Sequence, residues 1–177
     1  MIKLLSHELN RKDTIAFNQM EKFPFVFVLD NVRSMNNVGS IFRTADAFAI
    51  EKICLCGITA QPPHREIDKT ALGACDSVSW DYFETTGMAI DSLIAAGYEV
   101  WAIEQLDKSI NLAEFRPKSE VKYAFIFGNE INGISNEVLP KCMGGIEIPQ
   151  FGTKHSLNIV VSAGIVIWDL FSKLCIS

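Results

Sequence analysis

Phe25-Val26-Phe27-Val28-Leu29, opened by Pro24 and closed by Asp30-Asn31, is the stretch on which the fold turns. Five consecutive β-prone apolar residues describe a strand covered on both faces, because a strand with one wet face would alternate apolar with polar. The same kind of segment recurs at Ile53 to Cys56, Glu99 to Ile103, Tyr123 to Phe127 and Ile146 to Ile148. Between these, apolar residues at Ile41, Phe42, Ala45 and Phe48 predict a helix from Gly39 to Phe48, and similar spacing predicts helices over Met88 to Ala96 and Asn136 to Cys142. A last helix is predicted from about Leu157 to Leu174. Strands alternating with helices give an α/β class: an open parallel sheet with helices on both faces. The last helix is apolar nearly all round, through Ile159, Val160, Val161, Ile165, Val166, Ile167 and Trp168, which exceeds what one sheet face needs. A second copy of the chain is the leading candidate to cover its far side, with burial inside the monomer as the rival.

The totals bound the possibilities. At 177 residues, 49% hydrophobic and 21% charged, the chain can bury one substantial core, so one domain is expected, with a short leading segment 1–23 and a core over 24–174. The start, Met1 to Asn10, lacks the apolar run and cleavage site of a secretory signal, and a cytoplasmic location is expected. The longest apolar stretch, Ile159 to Ile167, is too short to span a bilayer, which needs roughly 20 residues, so no membrane association is expected. Of five cysteines only Cys54 and Cys56 lie close in sequence, which indicates neither a disulfide framework nor a metal site; all five read as reduced core residues. The net charge of −5 argues mildly against a nucleic-acid partner, unless Arg33, Arg43, Arg65, Lys69 and Lys154 converge into a basic face.

Ligands of open α/β sheets collect beyond the carboxyl ends of strands, and three loops there are unusual. After the first strand, Asn36-Asn37-Val38-Gly39 leads into a helix carrying Arg43, an entry suited to an anion through free amides and a guanidinium, or else simply an Asn-rich cap. After Phe127 comes Gly128-Asn129-Glu130-Ile131-Asn132-Gly133-Ile134-Ser135, where glycines permit close backbone approach to a ligand and Glu130 stands at the sheet edge; a turn before a helix capped at Ser135 is the plainer reading. Ile134 and Ser135 fall where a phosphate-binding P-loop requires Lys and Ser or Thr, which excludes that motif. The third loop, Ile148-Pro149-Gln150-Phe151-Gly152-Thr153-Lys154-His155-Ser156-Leu157-Asn158, ends in two polar residues suited to cap the last helix. His155 beside Ser156 is a poor hydrolase pair, since neighbours rarely present a nucleophile and base to each other.

Taken in order, Asn37 to Ala45, Ile126 to Gly133 and Ile146 to Gly164 resemble the three motifs of the SpoU (TrmH-like) branch of the SPOUT methyltransferases, a likeness spanning roughly Phe25 to Leu170. The resemblance implies a carboxyl-terminal trefoil knot, a homodimer that would use the last helix, S-adenosylmethionine as cofactor, and transfer of its methyl group to a ribose 2′-hydroxyl of tRNA or rRNA. By position it implies catalytic and substrate-orienting roles for Asn37, Arg43, Glu130, Ser156 and Asn158, and backbone contacts to the cofactor at Gly128, Ile148 and Leu157. The implied reaction is direct displacement on the methyl carbon, for which alignment and removal of the hydroxyl proton matter most. A guanidinium with a pKa above about 12 gives up a proton reluctantly, so Arg43 is expected to grip an RNA phosphate and polarise the hydroxyl, with Glu130 steadying Arg43 or Asn37. Gln150 and Asn129 depart from the family's usual methionine and small residue. Two rivals remain: a SPOUT-like protein that binds RNA without catalysis, and a Rossmann-type enzyme. The second requires Gly-x-Gly-x-x-Gly after the first strand, where this chain has Asn-Val-Arg-Ser-Met-Asn-Asn-Val-Gly.

Overall fold

A computed structural model describes residues 3–5, 8 and 12–175. Seven strands, β1 (Phe23–Asp30), β2 (Ile50–Cys56), β3 (Ser79–Phe83), β4 (Tyr98–Ile103), β5 (Ile110–Asn111), β6 (Lys122–Phe127) and β7 (Gly144–Glu147), form one sheet in the order β3-β2-β1-β6-β4-β7-β5, and every pairing is parallel. The helices are α1 (Thr14–Gln19), α2 (Met35–Ala47), α3 (Arg65–Ala71), α4 (Thr86–Ala95) and α5 (Ile159–Cys175).

β1 lies in the interior of the sheet, flanked by β2 and β6, which is why its residues from Phe25 to Leu29 are at most 1% exposed and none is polar. Alternate side chains serve opposite cores. Phe25, Phe27 and Leu29 join Phe125 and Phe127 beneath α2, α3 and α5, with the Phe27 and Phe127 rings meeting edge to face at 5.1 Å. Val26 and Val28 join Ala124 and Ile126 on the other face, under Ala89, Ile90 and Leu93 of α4 and under Ile134 and Val138 of the segment after β6. Helices therefore cover both faces, as the strand runs require.

The chain builds outward from β1 to β3, crosses through α4 to β4, and inserts β6 between β1 and β4. That late insertion brings the carboxyl ends of β1, β6, β4 and β7 together, and α5 then returns to pack against α2.

Three expectations need correction. The segment 136–142 is not a helix; Pro140 lacks the donor a helix would use, and only a single 3₁₀ turn, Leu139–Lys141, forms there. α2 begins at Met35, earlier than Gly39, because the Ser34 hydroxyl accepts from the Asn37 amide and caps it there. Gly39 thus sits inside the helix, where an added Cβ would lie 2.2 Å from the Ile67 carbonyl oxygen of α3. The cysteines divide: Cys54 and Cys56 are buried, which pushes both thiols up to about 12, whereas Cys175 is exposed. Among the described residues no helix is long and apolar enough to cross a membrane, and no group of His, Cys, Asp or Glu gathers as metal ligands.

Candidate functional site

The loops leaving β6, β4 and β7 surround a cleft of about 500 Å³. Gly128, Ile148 and Leu157, from two different loops, all line it, together with Glu130, Ser156 and Asn158. The structure thus brings six of the eight residues named from the resemblance to one cavity.

Asn37 is bound to that group from the side. Its Nδ2 donates to Glu130 Oε1 at 2.9 Å, and its Oδ1 accepts from Asn158 Nδ2 at 3.3 Å, so one carboxamide ties all three loops. Asn158 also caps α5, its Oδ1 accepting from the Val160 amide at 2.9 Å; capping and tying are done by opposite ends of one side chain. Glu130 accepts further from the amides of Arg33 and Ser34, both at 3.2 Å. Partial burial pushes its carboxyl up, but its own backbone amide, Asn37, Arg33 and Ser34 outweigh that and hold it below its ordinary value. The anion seat expected at the entry to α2 is consequently filled by the protein's own carboxylate, not left for phosphate.

Arg43 stands outside this cluster. It is exposed on α2, six residues or about 9 Å of helix rise beyond Asn37, and makes no hydrogen bond or ion pair among the described residues. Glu130 steadies Asn37, not Arg43. The basic face is only partly assembled: Lys69 pairs with Glu66, and Arg43, Arg65 and Lys69 are carried on the adjoining helices α2 and α3.

Gly128 serves the chain itself as well as the cleft. Its missing Cβ would fall 2.0 Å from the Gly133 carbonyl carbon, and the freed space lets Asn129 and Gly133 exchange two backbone hydrogen bonds at 3.0 and 3.1 Å. Sequence reasoning missed two supports of this loop. Asp30 is wholly buried at the end of β1, accepting from Ser135 N at 2.7 Å, Thr86 Oγ1 at 2.5 Å and Asn31 Nδ2 at 2.8 Å; a carboxylate closing a run of buried residues was the available signal. Glu104, just beyond β4, accepts from Ile134 N at 3.3 Å and lines the cleft.

A family model, that of the SpoU rRNA Methylase family, matches residues 24–168. The chain belongs to the SpoU rRNA methylase family. A tRNA (guanosine(18)-2′-O)-methyltransferase of Borreliella burgdorferi is 29% identical over 148 residues, which are 84% of this chain and 66% of that protein. Among solved structures, an AdoMet-bound rRNA methyltransferase from Sinorhizobium meliloti superposes with a TM-score of 0.80 at 28% identity, covering 89% of this chain and 60% of that one. The TrmH/SpoU tRNA-modifying enzyme of A. aeolicus, at 20% identity, shares the fold with a TM-score of 0.79 over 90% of this chain and 80% of its own. This chain thus spans less than two thirds of the length of the first two relatives. Its parallel sheet flanked by helices matches the SPOUT-like knot fold of these SpoU structures.

Proposed function

We propose that this SpoU-family chain methylates a ribose 2′-hydroxyl of tRNA or rRNA with S-adenosylmethionine as methyl donor, and that it works as a homodimer. The observation that carries the reading is the hydrogen-bonded set Asn37, Glu130 and Asn158 at the rim of the cleft that Gly128, Ile148 and Leu157 line.

The cleft fits such a cofactor in size and charge. It falls in the range of ligand-sized pockets, and its charged lining includes Glu104, Glu130 and Glu147 with no Lys or Arg, which favours a cationic occupant. Gly128, Ile148 and Leu157 would hold it from the backbone. When bound, S-adenosylmethionine supplies a methyl group activated on sulfonium sulfur. The protein's task is then alignment: Glu130 fixes Asn37, Asn37 and Asn158 orient the ribose, and Ser156, which has no partner among the described residues, lines the cleft to hydrogen-bond the substrate. Arg43, exposed and uncommitted, grips the RNA phosphate and polarises the hydroxyl.

Dimerisation is supported by α5. One side buries Ile159, Ala163, Val166, Ile167 and Leu170, yet Val161, Ile165 and Trp168 remain 48%, 38% and 54% exposed. An apolar stripe of that kind on a helix whose other side is already packed is what a second copy would cover.

Calorimetry with S-adenosylmethionine, followed by mass spectrometry of RNA from cells lacking the gene, tests the activity. Cofactor binding and one vanished ribose methylation are expected. No cofactor binding would favour an RNA-binding protein without catalysis.

A further inference from the structure

A second cavity, of about 610 Å³, adjoins the segment after β6. Asn129, Ile131 and Asn132 line both cavities, so the segment is a shared wall. The two sides differ in chemistry. The cleft carries three carboxylates, whereas the only charged residue lining the second groove is Arg33.

The polar groups in this groove fall into two kinds. Asn31 and Asn129 are committed to folding: Asn31 Oδ1 accepts from Ile58 N at 3.2 Å, and Asn129 Oδ1 accepts from the amides of Ile131 and Asn132 at 2.9 and 2.8 Å. The carboxamides of Asn132 and Asn136 and the guanidinium of Arg33 have no partner among the described residues, and all three residues are exposed. Ile58 and Ile131, 62% and 67% exposed, add apolar surface to the same groove. Uncommitted carboxamides, apolar walls and one cation call for a ligand with a flat apolar face, an edge of mixed donors and acceptors, and a nearby negative charge.

We propose that this groove seats an unpaired nucleobase of the RNA substrate, with Asn132 and Asn136 on the base edge, Ile58 and Ile131 against its faces and Arg33 on the adjoining phosphate. A carboxamide offers a donor and an acceptor together, the pairing that base edges recognise, and single-stranded RNA is the form whose bases are free to enter. Because Glu130 already fills the anion seat at the α2 terminus, the Arg33 side chain is the groove's own means of holding phosphate. Through the shared wall, an occupied base would position the ribose next to the cleft. This assignment rests on the RNA-methylating reading above.

The test uses the full chain and fluorescently labelled RNA octamers, single-stranded and as blunt duplexes, read by anisotropy across a salt series, with S-adenosylmethionine calorimetry run in parallel. Asn136→Ala, Arg33→Gln and Ile58→Ala touch only the groove. The wild type should bind single strands more tightly than duplexes, Asn136→Ala and Ile58→Ala should each weaken binding about 5- to 10-fold, and Arg33→Gln should lower the salt slope by about one phosphate. All three should bind the cofactor as the wild type does. Equal affinity for single strands and duplexes, or unchanged affinity in the variants, overturns the groove assignment even where cofactor binding is intact. Absent cofactor binding with groove-dependent RNA binding retained would instead overturn the methyltransferase reading and leave the groove standing.

Discussion

Asn37 and Glu130 are 93 residues apart in sequence, and the Nδ2 of the first donates to the carboxylate of the second at 2.9 Å. The same carboxylate accepts two backbone amides, so replacing it with an amide of equal shape leaves donors facing donors. Glu130→Gln should lower kcat roughly 10- to 100-fold, the effect of losing a charge-assisted bond of about 1.5–3 kcal/mol. Circular dichroism should show the fold intact. Wild-type turnover in this variant would remove Glu130 from the catalytic arrangement.

Acid should loosen the same tie. Hydrogen bonds hold the folded Glu130 carboxyl below its ordinary value near 4.5, so whatever stability it adds is complete above that value and drains away as pH falls through the lowered folded value. Amide protection factors at Arg33 and Ser34 should decline in that acid range and should not depend on this titration in Glu130→Gln. Protection at Arg33 and Ser34 that falls with acid identically in the wild type and in Glu130→Gln would contradict it.

Much of this arrangement was legible from sequence, for physical reasons that differ by element. β1 and β6 are buried on both faces and so read as unbroken apolar runs, and α5 shows itself by length and hydrophobicity. β3 was invisible, because Ser79–Phe83 is an edge strand pairing with β2 alone and its residues are only half-buried or exposed. α3 is seven residues, mostly polar, with only Ile67 and Ala71 buried. At the site, the family resemblance pointed to Asn37, Glu130 and Asn158, but their mutual bonds depend on where β6 inserts, which no local pattern encodes. Glu104 was missed for the same reason, its partner lying 30 residues away, whereas Asp30 carried a local signal, a carboxylate closing a buried run, although its partner Ser135 lies 105 residues away.

Two glycines separate fold from flexibility. Gly128→Ala drives a Cβ into the Gly133 backbone at 2.0 Å, whereas Gly152→Ala meets nothing within 4 Å. The first should destabilise by about 2–3 kcal/mol and lower Tm by about 5–10 °C. The second should melt with the wild type. Equal melting of the two variants in scanning calorimetry would mean the 128–134 loop tolerates the intrusion by opening.

Trp168 tests the proposed dimer. Its ring stacks on Phe171 and meets Phe48 edge to face, yet it is 54% exposed, so it is anchored on one side and bare on the other. Trp168→Glu should convert dimers to monomers in analytical ultracentrifugation at micromolar protein, since a charge buried in an apolar interface is costly. A wild type already monomeric there would end the dimer proposal.

Arg43 is the sharpest test of the chemistry. It has no partner among the described residues and buries little, so its replacement carries small structural cost, and any loss of activity reports on substrate. Lysine keeps the charge but forfeits the planar fork that grips two phosphate oxygens at once. If Arg43 aligns RNA through bidentate phosphate contact, Arg43→Lys should lose at least about 10-fold in kcat/KM for RNA while its affinity for S-adenosylmethionine stays as in the wild type. A point charge would suffice if the residue only steered RNA by long-range attraction, and the variant would then keep full activity at low salt. Single-turnover kinetics at two salt concentrations separates these outcomes, because loss of alignment persists at both whereas loss of steering does not.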